Sequence, residues 1–375
     1  MNPQLNRRRN ALWVAVFFAS LTFLTHHSLS AQDWQEKWRG TLAQAKNESK
    51  VVVLGPPGEL IRDALTEGFE KAFPGMRLDY VGGPPDPRVS RMRAERDAGI
   101  YSYDVFIGGT NTTVLALKPM GALDPIKPAL ILPEVTDLKN WRNGRWLSVD
   151  KEGTYVLAFA GQVSSVLAYN VEQVKAQEVD ELFELLDPKW KGKIAVSSPI
   201  SGGAGPPTFR HIWLSLGPEK AKDYFVRLRA QTALVERDQR RGLEWVAKGK
   251  YPILIAPSTG VMGQLIQRGL KFGVVSEWKD IGGRISSSFG NVTLINKAPH
   301  PNAARVFINW LLTKEGQTVW SKTMQNVSRR VDVPTKDLPE YIIPKADGKY
   351  WESDSEEGQT RTPEEEKIIK ELFSG

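Results

Sequence analysis

The chain has 375 residues, with 50 Lys and Arg against 43 Asp and Glu, a net charge of +7, 41% hydrophobic residues and no cysteine. That content suits a globular protein with a real core and excludes a disulfide framework. The basic residues are scattered rather than clustered, so the charge gives no argument for nucleic acid.

The chain opens with Arg7-Arg8-Arg9, an apolar run from Ala11 to Leu24, and small residues at Ser28, Ser30 and Ala31. A basic start, an apolar middle and a small-residue site make a signal peptide over 1–30, cleaved after Ser30. The apolar run is shorter than the ~20 residues that span a bilayer, and Thr25, His26 and His27 follow it directly. Asn10-Ala11-Leu12 fits a twin-arginine signal poorly, so the choice between export routes stays open. Without a cysteine there is no site for a lipid at the leader's end, and the expected location is the periplasm. Removing the leader takes three arginines and no acid, which leaves +4 of the original +7.

Residues 31–375 exceed the usual size of one core and call for two lobes. Trp34, Trp38, Leu42 and Ala45 recur at helical spacing over 32–46. Val51–Leu54 reads as a buried strand ending in Gly55-Pro56-Pro57-Gly58. A helix follows, with Leu60, Ile61, Ala64, Leu65 and Phe69 on one face, stopped by Pro74-Gly75. Leu78–Val81 is the next strand, 88–98 a basic helix, and Tyr103–Ile107 a strand that runs into Gly108-Gly109-Thr110-Asn111-Thr112. The extended stretch 154–169 is long enough to cross between lobes. Further on, 178–186 reads as helix and Ile194–Val196 as strand. Ser201-Gly202-Gly203-Ala204-Gly205 then leads into a helix at about 208–216. Tyr251–Ala256 is a strand closed by Pro257-Ser258-Thr259-Gly260 before a helix at 261–268, and Phe272–Val275 and Val292–Ile295 are later strands. Pro301–Leu312 and 315–324 are amphipathic helices. The tail from Asp332 is rich in proline and charge. Its acidic run Glu352–Glu357 reads as a solvated loop, and Thr362-Pro363-Glu364-Glu365 as the start of a last helix.

Alternating strands and helices define an α/β protein, in which ligands sit beyond the carboxyl ends of strands beside helix N-termini. The candidate ligand-binding residues are therefore Gly55 and Pro56, Thr110, Asn111 and Thr112, Ser201, Gly202, Gly203 and Ala204, and Ser258 and Thr259. Arg240, in the run Arg237–Arg241 before a helix at Gly242–Lys248, adds a forked cation suited to an oxyanion. Beyond the leader only His211 and His300 remain, with no metal-ligand spacing, and both read as structural. There is no nucleophile elbow, Walker A sequence or zinc-protease motif. The chain is expected to be no enzyme and to need no cofactor or resident metal.

Five segments in register resemble family 1 extracellular solute-binding proteins of ABC importers. They are Lys46–Val53, Tyr103–Phe106, Leu186–Ile194, Val246–Ile253, and Ala298–Leu312 followed by Lys314–Gln317. The resemblance implies the type II periplasmic-binding-protein fold. One lobe would hold 31–160 plus about 285–330 and the other 164–280, with 331–375 as a C-terminal extension packed on them. It also implies a monomer that takes a small-molecule solute to an ABC permease in the inner membrane. The ferric-iron binders are the most similar branch, but where they carry adjacent tyrosines this chain has Pro257-Ser258-Thr259. Hard ferric ion prefers anionic oxygen ligands. An anionic organic solute is therefore the expected ligand, with ferric iron, a periplasmic sensor role or a secreted enzyme as the alternatives.

Overall fold

The computed structural model describes residues 33–201 and 203–374; the leader expected over 1–30 and the candidate Gly202 lie outside the described residues. Two sheets, each between helices, carry two large cores, and a third small sheet lies between them.

The first sheet has seven strands. Lys50–Gly55 pairs in parallel with Arg77–Gly82 on one side and Val105–Gly108 on the other. Asn291–Ile295 returns from far along the chain and pairs antiparallel with Val105–Gly108, Leu123–Asp124 and Leu157–Ala158. The fully apolar run Val51–Leu54 is buried on both faces, as a central parallel strand requires. Helix Glu59–Ala72 covers one face through Ile61, Leu65 and Phe69, and Phe69 meets Phe307 and Trp310 of helix Pro301–Leu312 edge-on at 5.5 and 5.7 Å. Buried Asp104 ties this layer together. It accepts the Val52 amide at 2.7 Å and the His300 amide at 2.8 Å, with the His300 ring at 2.9 Å.

The second sheet orders Thr232–Glu236, Ile194–Ser197, Ile253–Ile255, Leu167–Tyr169 and Gly273–Val275 as neighbours. The first three are parallel; Leu167–Tyr169 runs antiparallel to both of its neighbours, Ile253–Ile255 and Gly273–Val275. Helices Gly205–Leu216 and Pro218–Gln231 cover one face with Phe209, Ile212, Tyr224, Phe225 and Leu228. Pro218–Gln231 and Thr232–Glu236 were not anticipated from the sequence, and 178–186, expected as one helix, is two short turns of 3-10 helix, Ala176–Glu178 and Leu182–Leu186.

The third sheet lies where the chain passes from one half to the other. Gln162–Ser164 runs antiparallel to Gly282–Ser286, and Tyr350–Glu352 from the tail pairs in parallel with the latter. The tail then ends in helix Pro363–Phe373, whose Thr362 hydroxyl accepts the Glu365 amide at 3.2 Å. That helix buries Ile368, Ile369 and Phe373 in the second core, each such side chain contributing roughly 1.5–3 kcal/mol. No helix among the described residues is long and apolar enough to cross a membrane.

Candidate ligand-binding site

A cavity of about 360 Å³ opens where the two large cores and the tail meet. Gly109, Thr110, Asn111 and Leu115 line it from the first half, and Gly203, Pro206, Pro207 and Arg210 from the second. Arg284, Ser286 and Ser288 come from the crossing strand and its exit, and Ser353, Asp354, Gly358, Gln359 and Arg361 from the tail.

Arg284 sits on strand Gly282–Ser286, and only 4% of the residue is exposed. Among the described residues its side chain makes one hydrogen bond, a long one, Nε donating to Thr208 Oγ1 at 3.4 Å. No carboxylate among the described residues comes within ion-pair distance of it. Burial pulls the guanidinium's pKa well below its ordinary value, to about 10, with the more distant Asp354 working the other way. A buried cation without an ion-pair partner is costly, and such groups are normally paired.

Asp354 is also buried, but it is held. Its carboxylate accepts the Thr110 hydroxyl at 2.9 Å and the Ser287 amide. Burial pushes its pKa up, against the pull of Arg329 and of these two donors. Thr110 in turn accepts the Asn291 amide nitrogen at 3.0 Å. Arg210 pairs with buried Glu365, and Arg361 lies 3.6 Å from the same carboxylate. Three guanidinium groups therefore face this cavity with one carboxylate, Asp354; even with Glu365, buried behind Arg210 and Arg361, the cluster holds a surplus positive charge. Several buried polar atoms around it have no hydrogen-bond partner within the described chain: Arg210 Nε, Ser287 Oγ and Asn291 Oδ1. Chemically, such a set of groups can hold an anion that also offers hydrogen-bonding groups.

Of the residues proposed from the sequence, Thr110, Asn111 and Gly203 line this cavity. Thr112 opens the turn Thr112–Leu117 just behind them. Ser201 lies beside the cavity rim, its hydroxyl paired with that of Ser198 at 3.1 Å, and Ala204 caps helix Gly205–Leu216. That helix start was expected to bind an anion through free amides. Pro206 and Pro207 occupy the first turn and have no N–H to donate, so side chains must do this work. Gly205 is there because its backbone lies against Ser198: an added Cβ would stand 2.1 Å from that carbonyl oxygen.

The other residues stand elsewhere. Gly55 and Pro56 are packed under Tyr80, whose hydroxyl donates to the Pro56 carbonyl at 2.8 Å and would be 2.2 Å from a Cβ at Gly55. Arg240 and Arg241 are in helix Gln239–Ala247 rather than before it, because the Asp238 carboxylate caps their amides at 3.0 Å. Their guanidinium groups turn to Gln264 and Glu236. Ser258 caps helix Thr259–Gln267 through the Val261 amide, and Thr259 Oγ1 accepts the Ser165 amide at 2.9 Å. Neither lines the cavity.

Sequence reasoning missed Arg210, Arg284, Arg361 and Asp354. A signal for Arg284 existed: a lone arginine in Gly282-Gly283-Arg284-Ile285, within a stretch otherwise suited to a buried strand. Asp354 was hidden in the acidic run taken for a solvated loop. His211 and His300 are structural: His300 serves Asp104, and His211 is stacked over Trp351 at 5.9 Å, with burial lowering its pKa to about 4.

Two sheets joined by crossing strands around a polar cavity form the two-lobe architecture of periplasmic binding proteins, and known structures agree. A Trichodesmium protein (IdiA, FutA), solved with iron and citrate ligands, superposes with a TM-score of 0.67 at 18% identity, covering 87% of this chain and 97% of that one. AfuA from Actinobacillus pleuropneumoniae, with exogenous fructose-6-phosphate bound, gives a TM-score of 0.61 at 18% identity, covering 87% and 98%. Iron uptake protein A1 of Synechocystis sp. is 24% identical over 125 residues, which span 33% of this chain and 31% of that protein. The profile of the bacterial extracellular solute-binding proteins matches residues 55–318, and the chain belongs to that family.

Proposed function

We propose that this protein captures a small anionic organic solute in the cavity between its lobes. It does so in the periplasm, as a monomer, and delivers the solute to an ABC permease in the inner membrane. The observation that carries the choice of an anion is Arg284, a buried guanidinium that faces the cavity without a carboxylate partner. A bound oxyanion would supply that partner through charge-assisted hydrogen bonds. Arg361 and Arg210 stand beside it, and Asn111, Ser286, Ser288 and Gln359 offer hydrogen bonds to the rest of the solute. Membership of the solute-binding family supports capture rather than turnover.

Two relatives are named for iron or were solved with it. The lining of this cavity argues for a different cargo. It holds one carboxylate, Asp354, no tyrosine and three arginines, a set that repels a trivalent cation. Iron carried as an anionic chelate, such as a citrate complex, would meet the same arginines as any other anion. A thermal-shift panel of sugar phosphates, phosphonates, carboxylates, ferric citrate and bare ferric ion tests the proposal. A true ligand at 100 times its dissociation constant adds about 2.7 kcal/mol of stability. The expected result is stabilisation by an anionic solute. Stabilisation by ferric ion alone contradicts the proposal, and measurable turnover of a solute with no stable binding contradicts it also.

A further inference from the structure

The tail does more than fill a wall of the cavity, because within a few residues it is fastened to both lobes. After Tyr350–Glu352 joins the crossing sheet, the Ser353 hydroxyl donates to the Ile285 carbonyl at 2.7 Å. Asp354 then reaches Thr110 of the first lobe. Glu356 follows with a second hold on that lobe: its amide donates to the Val149 carbonyl at 2.9 Å, and its carboxylate accepts the Lys151 amide at 2.9 Å and pairs with Lys118. By Arg361 the chain has crossed to the second lobe. There the guanidinium donates to the carbonyls of Pro199 and Pro206 at 2.7 and 3.2 Å, one on each side of the loop that carries Gly203. Glu365 pairs with Arg210, and the last helix is sunk in the second core.

We propose that Ser353–Glu365 is a strap across the cavity mouth that holds the lobes together and lets go at its first-lobe end. The two ends differ in kind. The second-lobe end is an apolar helix with three side chains in a core, and releasing it means exposing that surface. At the first-lobe end the outer hold is polar, with Glu356 and Lys118 25% and 17% exposed at their side chains, so water and salt reach it and can replace its contacts, leaving the buried hydrogen bond from Thr110 to Asp354 to be broken. Lys118 also has a second carboxylate, Glu152 at 2.6 Å, to stay with when Glu356 leaves. Hinge opening about the crossing strands must break this end or carry the whole tail with it. Only the consequence for solute entry rests on the functional reading above; the strap itself does not.

The chain has no cysteine, so spin labels go cleanly on Lys71→Cys and Lys222→Cys, exposed positions on a helix of each lobe. Pulsed electron resonance on the full chain without solute reads the lobe separation. The expected result is one narrow distance for the parent protein. Glu356→Lys, which sets an ammonium against Lys118, gives a longer and broader distribution with the cooperative melt retained, and Glu356→Gln gives a smaller change in the same direction. If Glu356→Lys fails to fold, Glu356→Gln carries the comparison. An unchanged distribution in a folded variant overturns the strap. Because no solute is present, that outcome leaves the anion reading standing, and an anion panel without response leaves the strap standing.

Discussion

Replacing Arg284 by methionine separates its binding role from any structural one. In the folded, empty protein the guanidinium is charged in a site that disfavours charge, which pulls its pKa down from the usual arginine range to about 10. A depressed cation is a penalty at neutral pH, where folded and unfolded states both carry the proton. The penalty is relieved only as pH rises through about 10. At roughly 1.4 kcal/mol per unit, this displacement corresponds to about 3 kcal/mol against folding. Methionine keeps most of the volume and removes the charge, a change that is often neutral or stabilising at such positions. Differential scanning calorimetry of the empty Arg284→Met variant should therefore give a melting temperature equal to or above that of the parent. Isothermal titration with the anion that stabilises the parent should show the opposite effect. Losing a charge-assisted contact in a buried site costs about 3 kcal/mol, or ~100-fold in affinity. A variant that melts much earlier and still binds the anion would show Arg284 to be a structural group, and the reasoning would fail.

Three other outcomes follow from local geometry. His211 is neutral in the fold because burial lowers its pKa from 6.5 to about 4; stability should be full above pH 6.5 and fall by about 3 kcal/mol as pH drops toward 4. His211→Gln should flatten that part of the curve, and urea melts across the range will show whether it does. Tyr80→Phe removes the hydrogen bond to the Pro56 carbonyl and should cost about 1 kcal/mol in denaturant titration with no change in solute affinity; a loss of affinity would return Gly55 and Pro56 to the site. Gly205→Ala drives a methyl group into the Ser198 carbonyl, and strain of this kind costs roughly 1–3 kcal/mol. It should lower both the melting temperature and the affinity, since Gly203 lies in the loop that would move.

The fold was legible where local pattern and tertiary role coincide. Val51–Leu54, Pro301–Leu312 and the capped helix after Thr362 each read the same way at every level, and the structure places them as the sequence suggests. Helix Pro218–Gln231 was passed over although it has a proline at its start and an apolar stripe through Tyr224, Phe225 and Leu228. The site was harder because its chemistry is not local. Thr110, Asn111 and Gly203 were found by a general rule about strand ends. The charged groups come from residues 210, 284, 354 and 361, brought together only by the crossing strands and the returning tail. Arg240 and Arg241 made a conspicuous cluster and proved to be neighbours of Glu236 and Gln264. Asp354 was misread for a related reason. An acidic run is usually solvated, and here one of its members is the partner of a threonine that lies 244 positions away in sequence.

Native mass spectrometry of the intact chain mixed with the stabilising anion, run side by side with Arg284→Met, tests the central claim most directly. The expected result is a one-to-one anion adduct on the parent protein and its loss in the folded variant. An adduct of equal abundance in both, or a parent protein that retains only ferric ion, would contradict it.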